Sequence, residues 1–146
     1  MKKYFLFLLI GVTATACGPD DEVDEPDPVE NEPYVFDVPS YFPPLPQPDD
    51  NVATVKGVEL GRFLFFEKKL SADNTLSCGG CHLPAAGFAD PNPTSTGIDG
   101  IAGDRNAMAI INLAYRSNGF FWDGRSPTLE IQAIEPIPNP IEMHQE

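Results

Sequence analysis

The chain has 146 residues, enough for one domain, with 22 acidic and 9 basic side chains and a formal net charge of −13. That balance argues against nucleic acid as a partner. Three cysteines are too few for a disulfide-stapled scaffold, and an odd count in an exported protein signals a thiol with another use.

Lys2 and Lys3 precede an apolar run from Tyr4 to Val12, and Ala14, Thr15 and Ala16 lead to Cys17. A positive start, a short apolar middle and small residues read as a secretory leader over 1–16. The stretch ATAC resembles a bacterial lipoprotein signal, which implies lipidation of Cys17 and anchoring at a membrane surface. The alternative is an ordinary leader with a stray cysteine. The expected location is therefore outside the cytoplasm: periplasmic, or an outer-membrane lipoprotein of a Gram-negative bacterium.

Residues 17–50 hold eleven Asp and Glu, nine Pro and no Lys or Arg. Such a segment buries too little apolar surface to offset its ordering entropy, so it reads as a disordered, proline-stiffened tether. Asp20, Asp21 and Glu22 resemble acidic surface-export signals, although a solvated spacer explains them equally well. Tyr34, Phe36, Tyr41 and Phe42 suggest that the tether's end packs on the folded part, expected over 51–146.

From residue 51 the pattern changes. Asp49, Asp50 and Asn51 can cap a helix, and Val52, Val55, Leu60, Phe63 and Leu64 predict one over 52–66. Residues 67–77 read as a loop, and CGGCH sits on a short helix. Residues 83–105, rich in proline and glycine, read as irregular structure that must wrap something. A second helix is expected over 106–115. A third is expected from a Ser126 cap with Pro127 at its first position to about Ile134, ended by Pro136, Pro138 and Pro140. The fold class expected is all-α, with long irregular loops around a thin apolar core.

Cys78-Gly-Gly-Cys81-His82 is the strongest chemical signal. Two thiols one helical turn apart can add to the two vinyl groups of one haem, and the next imidazole can ligate its iron, so CxxCH in an exported chain reads as covalent haem c attachment. Gly79 and Gly80 let the backbone approach the porphyrin edge. A thioredoxin-like site, a zinc site and a structural disulfide compete. The first needs a βαβ context, the second needs about four ligands where His144 is the other histidine, and the third has no use for His82.

Beyond CGGCH, several stretches together resemble the bacterial di-haem cytochrome c peroxidase family: LGRFLFFEKKLSADNTLSCGGCH (Leu60 to His82), GFAD (Gly87 to Asp90), GDRNA (Gly103 to Ala107), FWDGRSPTLEIQA (Phe121 to Ala133) and EM (Glu142, Met143). They match the family's first, peroxidatic haem domain and imply a cytochrome c-like fold. The second haem domain has no counterpart here, which implies a fragment. The resemblance further implies reduction of hydrogen peroxide with electrons from a small cytochrome c or cupredoxin.

Carried over, His82 is the proximal iron ligand and Trp122 an electron relay between haems, with a core aromatic as its plain alternative. Gln132 and Glu142 fall on the peroxide-binding face, with Pro136 near them. Otherwise Gln132 is a surface amide and Glu142 a solvated residue at a helix start. Asn106 matches a ligand of an inter-domain calcium ion, whose other ligands this chain lacks. Arg105 and Arg125 suit haem propionates, or else pair with Asp104 or Asp123. Many relatives carry a histidine where this chain has Ile98, which cannot ligate iron, so an open distal position is expected. Met143 is expected to pack near the haem and His144 to be exposed. A second function remains open at this stage: a single-haem c-type electron carrier with a distal methionine and no peroxide reaction.

Overall fold

A computed structural model describes residues 31–146. The leader, the lipidation site Cys17 and the tether up to residue 30 lie outside the described residues. The compact body begins at Asn31, so residues 31–50 belong to it. Its first residues lie antiparallel to 53–55: Tyr34 N–H donates to Ala53 O (2.8 Å) and Val55 N–H to Glu32 O (2.9 Å). The Phe42 ring then lies 5.4 Å from that of Tyr115, whose hydroxyl donates to Pro43 O (3.1 Å).

This pairing holds 52–54 extended and delays the first helix. Helix α1 spans Val55–Phe66, and its cap is Thr54, whose Oγ1 accepts from Gly57 N–H at 3.2 Å. Asp49, Asp50 and Asn51 lie upstream of that cap. Glu67 ends α1 in an extended conformation, and a 3-10 turn follows over Lys68–Leu70. Buried Ser71 closes the next loop by donating to Lys68 O (2.9 Å) and accepting from Leu76 N–H (3.1 Å). That closure sets the start of α2, Cys78–Cys81. The role expected of Gly79 changes: a Cβ there would lie 2.7 Å from the Phe66 ring, so its missing side chain lets α2 pack on α1.

The helix expected over 106–115 does not form. Its backbone bonds non-locally instead. Ala107 O accepts from Asp90 N–H (3.1 Å), Ile110 N–H donates to Phe88 O (3.2 Å), and only Leu113–Tyr115 makes a 3-10 turn. The third helix, α3, spans Leu129–Ile134 and is capped by Thr128, whose Oγ1 accepts from Ile131 N–H at 3.3 Å. Ser126 is therefore not the cap. It is fully buried, its hydroxyl donates to Glu135 Oε2, and its carbonyl accepts from Phe120 N–H (2.8 Å) to close the 120–126 loop.

Every regular element among the described residues is helical, and no strands assemble into a sheet there. Isolated bridges pair Leu83 with Ala89 and Thr96 with Ala102 in the long loops. No helix among the described residues is long and apolar enough to cross a membrane. Phe120 and Met143 are the buried apolar side chains among them. Leu76, Met108, Ile110, Leu113, Trp122 and Met143 are among the apolar residues that line a cavity of about 1000 Å³, and this cavity positions the site.

Candidate functional site

Cys78, Cys81 and His82 line the cavity together with Phe65, Leu76, Met108, Trp122, Gln132, Glu142 and Met143. Its size is at the upper end of small-molecule and cofactor sites, which are mostly apolar with a few convergent polar groups. Helix α2 presents both thiols on one turn. They are free and half-buried, and burial pushes both thiols upward in pKa, with Asp90 and Glu142 adding to the effect at Cys81. The thiols are unbridged, unlike the disulfide alternative. Among the described residues no three His, Cys, Asp or Glu side chains converge to hold a metal ion.

The imidazole of His82 is oriented by the 106–115 segment. Its Nδ1 lies 2.9 Å from Met108 O and 3.2 Å from Phe88 O. A carbonyl can only accept, so Nδ1 carries a proton, and Nε2 is the ring nitrogen left to face a metal. This backbone support is the usual way a ligating histidine has its tautomer and ring plane fixed. Two thiols, one oriented imidazole and a large apolar cavity form a donor set that fits a covalently held haem.

Glu142 enters from the irregular C-terminal segment, and burial pushes its carboxyl above the ordinary glutamate range. Arg125 and His82 oppose that shift, and Glu135 adds to it. Its Oε1 accepts from Asn139 Nδ2 at 2.9 Å. The Glu142 carbonyl accepts from Ile98 N–H (3.1 Å), tying the 95–103 loop to this segment. Gln132, on α3, is half-buried beside the same space, as is Pro136. Ile98 is absent from the cavity lining. His144 is exposed, 3.7 Å from Asp99, and Met143 is buried in the cavity wall, as expected for both.

Arg105 and Arg125 both line the cavity, and both pair with Asp123, at 3.0 and 3.1 Å. Arg125 also stacks on Phe121, with its guanidinium carbon 3.6 Å from the ring centroid. Trp122 is 60% exposed, and its indole N–H donates to Asn106 O at 2.9 Å, which argues against the plain core-aromatic role. Asn106 uses Nδ2 to bind Asp90 O and Asn92 O (2.7 and 2.6 Å), so Oδ1 is the atom it has to offer a cation. Of the pairings expected for the two arginines, the one with Asp123 forms, and both share it. Sequence reasoning missed Asn139, because Pro138 and Pro140 read only as the end of a helix and nothing pointed to Glu142.

The profile of the di-haem cytochrome c peroxidase family matches residues 55–146. Cytochrome-c peroxidase IdrP1 of Denitromonas iodatirespirans is 44% identical over 92 residues, covering 63% of this chain and 24% of that protein. Cytochrome c peroxidase Ccp of Escherichia coli K12 is 42% identical over 101 residues, covering 69% and 22%. Among solved structures, a MauG-like protein associated with microbial copper homeostasis superposes with a TM-score of 0.71 at 36% identity, covering 77% of this chain and 33% of that one. The chain thus spans about a quarter of the length of the curated relatives it matches.

Proposed function

The chain belongs to the di-haem cytochrome c peroxidase family, and on that premise we propose that residues 31–146 form a cytochrome c-like, peroxidatic haem domain that reduces hydrogen peroxide. The observation that carries this reading is the convergence of Cys78, Cys81, an imidazole whose Nδ1 is held by backbone carbonyls and a half-buried carboxylate on one apolar cavity. Each thiol would add across a haem vinyl group, forming a C–S bond at one carbon while a proton goes to the other. Haem would supply the redox-active iron, and His82 would be the residue that ligates it.

The residues of this chain manage the proton. Reduction of hydrogen peroxide to two waters consumes two electrons and two protons. Glu142, as carboxylate, takes the proton from the nearer peroxide oxygen and returns it to the farther one as the O–O bond breaks. Its half-buried setting keeps its pKa nearer working pH than a solvated glutamate's. Gln132, which lines the same cavity, would donate a hydrogen bond to peroxide there.

Arg105 and Arg125, now shared with Asp123, pair with the haem propionates. Exposed Trp122 would be the residue that relays electrons toward a haem held here, and Asn106 Oδ1 would be available to a calcium ion. We further propose that a small cytochrome c or cupredoxin supplies the electrons, and that the protein is exported and held at a periplasmic or outer-membrane surface by lipid on Cys17.

The test is a hydrogen peroxide titration of the haem-loaded protein followed through the haem absorption band. A stoichiometric spectral change supports the peroxidatic reading. A spectrum indifferent to peroxide, with a six-coordinate iron, would leave the electron-carrier reading in its place.

A further inference from the structure

We propose that Asn139 is a positioning residue that holds the Glu142 carboxylate in place for proton transfer; this rests on the reading of Glu142 as the acid–base group. The argument begins with the local chain. Asn139 stands between Pro138 and Pro140. Pro140 has no N–H, so Ile141 supplies the first downstream donor, and Asn139 Oδ1 accepts it at 3.0 Å in an Asx-type turn. With Oδ1 so committed, the orientation of the side-chain amide is fixed and Nδ2 faces Glu142 Oε1 at 2.9 Å. The Asn139 carbonyl adds two anchors, accepting from Glu142 N–H and His144 N–H, each at 3.0 Å.

Glu142 is gripped from the other side as well. Its carbonyl accepts from Ile98 N–H, and the neighbouring Gly97 lies against Ile141 O with no room for a Cβ. Backbone and Oε1 are therefore both pinned, and Oε2 is the oxygen that Asn139 does not engage. A carboxylate on a flexible C-terminal segment would otherwise sample several rotamers. A base that must take and return one proton within a single O–O cleavage loses rate steeply when displaced, on the order of a hundredfold for about 1 Å. The amide hydrogen bond also favours the charged, proton-accepting form that burial disfavours.

Two substitutions test this in the haem-loaded protein. Asn139→Asp keeps the Oδ1 acceptor for Ile141 but replaces the donor with a second carboxylate oxygen facing Glu142 Oε1, while Asn139→Ala removes acceptor and donor without adding charge. The rate of the peroxide-induced change in the haem band should fall roughly ten- to a hundredfold in each. Carbon monoxide binding to the ferrous protein, which needs no proton transfer, should stay unchanged and serves as the check on folding. Glu142→Gln should fall further, and Asn139→Ala added to Glu142→Gln should cause no additional loss.

A readout independent of turnover is the side-chain amide of Asn139 in the ¹⁵N–¹H spectrum of the ferrous carbon monoxide form. Its protons should move upfield in Glu142→Gln, where the acceptor loses its charge. If Glu142→Gln keeps full rate, the acid–base reading fails and this inference goes with it. If Glu142→Gln is slow but Asn139→Asp and Asn139→Ala react at the native rate, or if the losses multiply in the double variant, the positioning role alone is overturned.

Discussion

Gly97→Ala tests the packing that places Glu142. Built on the observed backbone, the new methyl would fall inside the contact shell of Ile141 O and 2.9 Å from Glu142 O. Both obstacles are main-chain atoms, so no side chain can swing aside. The 95–103 loop must draw back, and the hydrogen bond from Ile98 N–H to Glu142 O goes with it. Overpacking of this kind costs about 1–3 kcal/mol and a lost hydrogen bond about 1 kcal/mol, so the expected loss is about 2–4 kcal/mol. For a body of this size that corresponds to a fall of roughly 8–16 °C in Tm. Thermal unfolding of the haem-loaded protein by circular dichroism measures it. The peroxide rate should also drop, because the segment carrying Glu142 loses its anchor on the 95–103 loop. A Tm within about 2 °C of native together with a native peroxide rate would refute the reasoning.

The other perturbations probe separate links. Gly79→Ala puts a methyl 2.7 Å from the Phe66 ring, and because that ring is partly exposed and can yield, the loss should sit near about 1 kcal/mol in denaturant unfolding. Gly61→Ala, on the same helix α1 with nothing within 4 Å, should instead stabilise by about 0.5–1 kcal/mol. Burial raises the Glu142 carboxyl in the folded state, so the peroxide rate should have an acidic limb centred above the ordinary glutamate range, and Glu142→Gln should abolish it. The same shift means that Glu142's contribution to stability is greatest at low pH and fades as pH rises through its folded pKa. Glu142→Gln should therefore flatten the stability profile in that window, as read from denaturant midpoints across pH. Trp122→Phe leaves Asn106 O without its indole donor and should slow electron delivery in stopped-flow mixing with a reduced small cytochrome, while peroxide reactivity of pre-reduced protein is retained.

The CGGCH cluster was legible because its geometry is local. Cys78, Cys81 and His82 lie within one short stretch, and α2 with the residue after it brings them together. Helices α1 and α3 were legible in type for a similar reason, since apolar spacing and a threonine or serine near each start carry the signal. Their starts shifted because backbone groups found distant partners. Residues 32–34 hold 52–54 extended, and Ser126 is claimed by Glu135 and Phe120.

The segment 106–115 shows the limit most clearly. Its apolar spacing suits a helix, yet its carbonyls serve Asp90 N–H and His82 Nδ1, residues far away in the chain. A haem-sized interior removes the apolar layer that would make such a helix worthwhile, so side-chain periodicity misleads there. Asn139 escaped notice because it stands between Pro138 and Pro140, which signal only the end of the preceding helix. Its hold on Glu142 appears only once that residue is seen folded back over it.

One mass settles the central claim. The chain, expressed in a host that carries cytochrome c maturation machinery and analysed after denaturation, should weigh as polypeptide plus one haem, and the adduct should vanish in the Cys78→Ala, Cys81→Ala double variant. A denatured native-sequence chain with the bare polypeptide mass, its Cys78 and Cys81 both open to alkylation, would contradict the account.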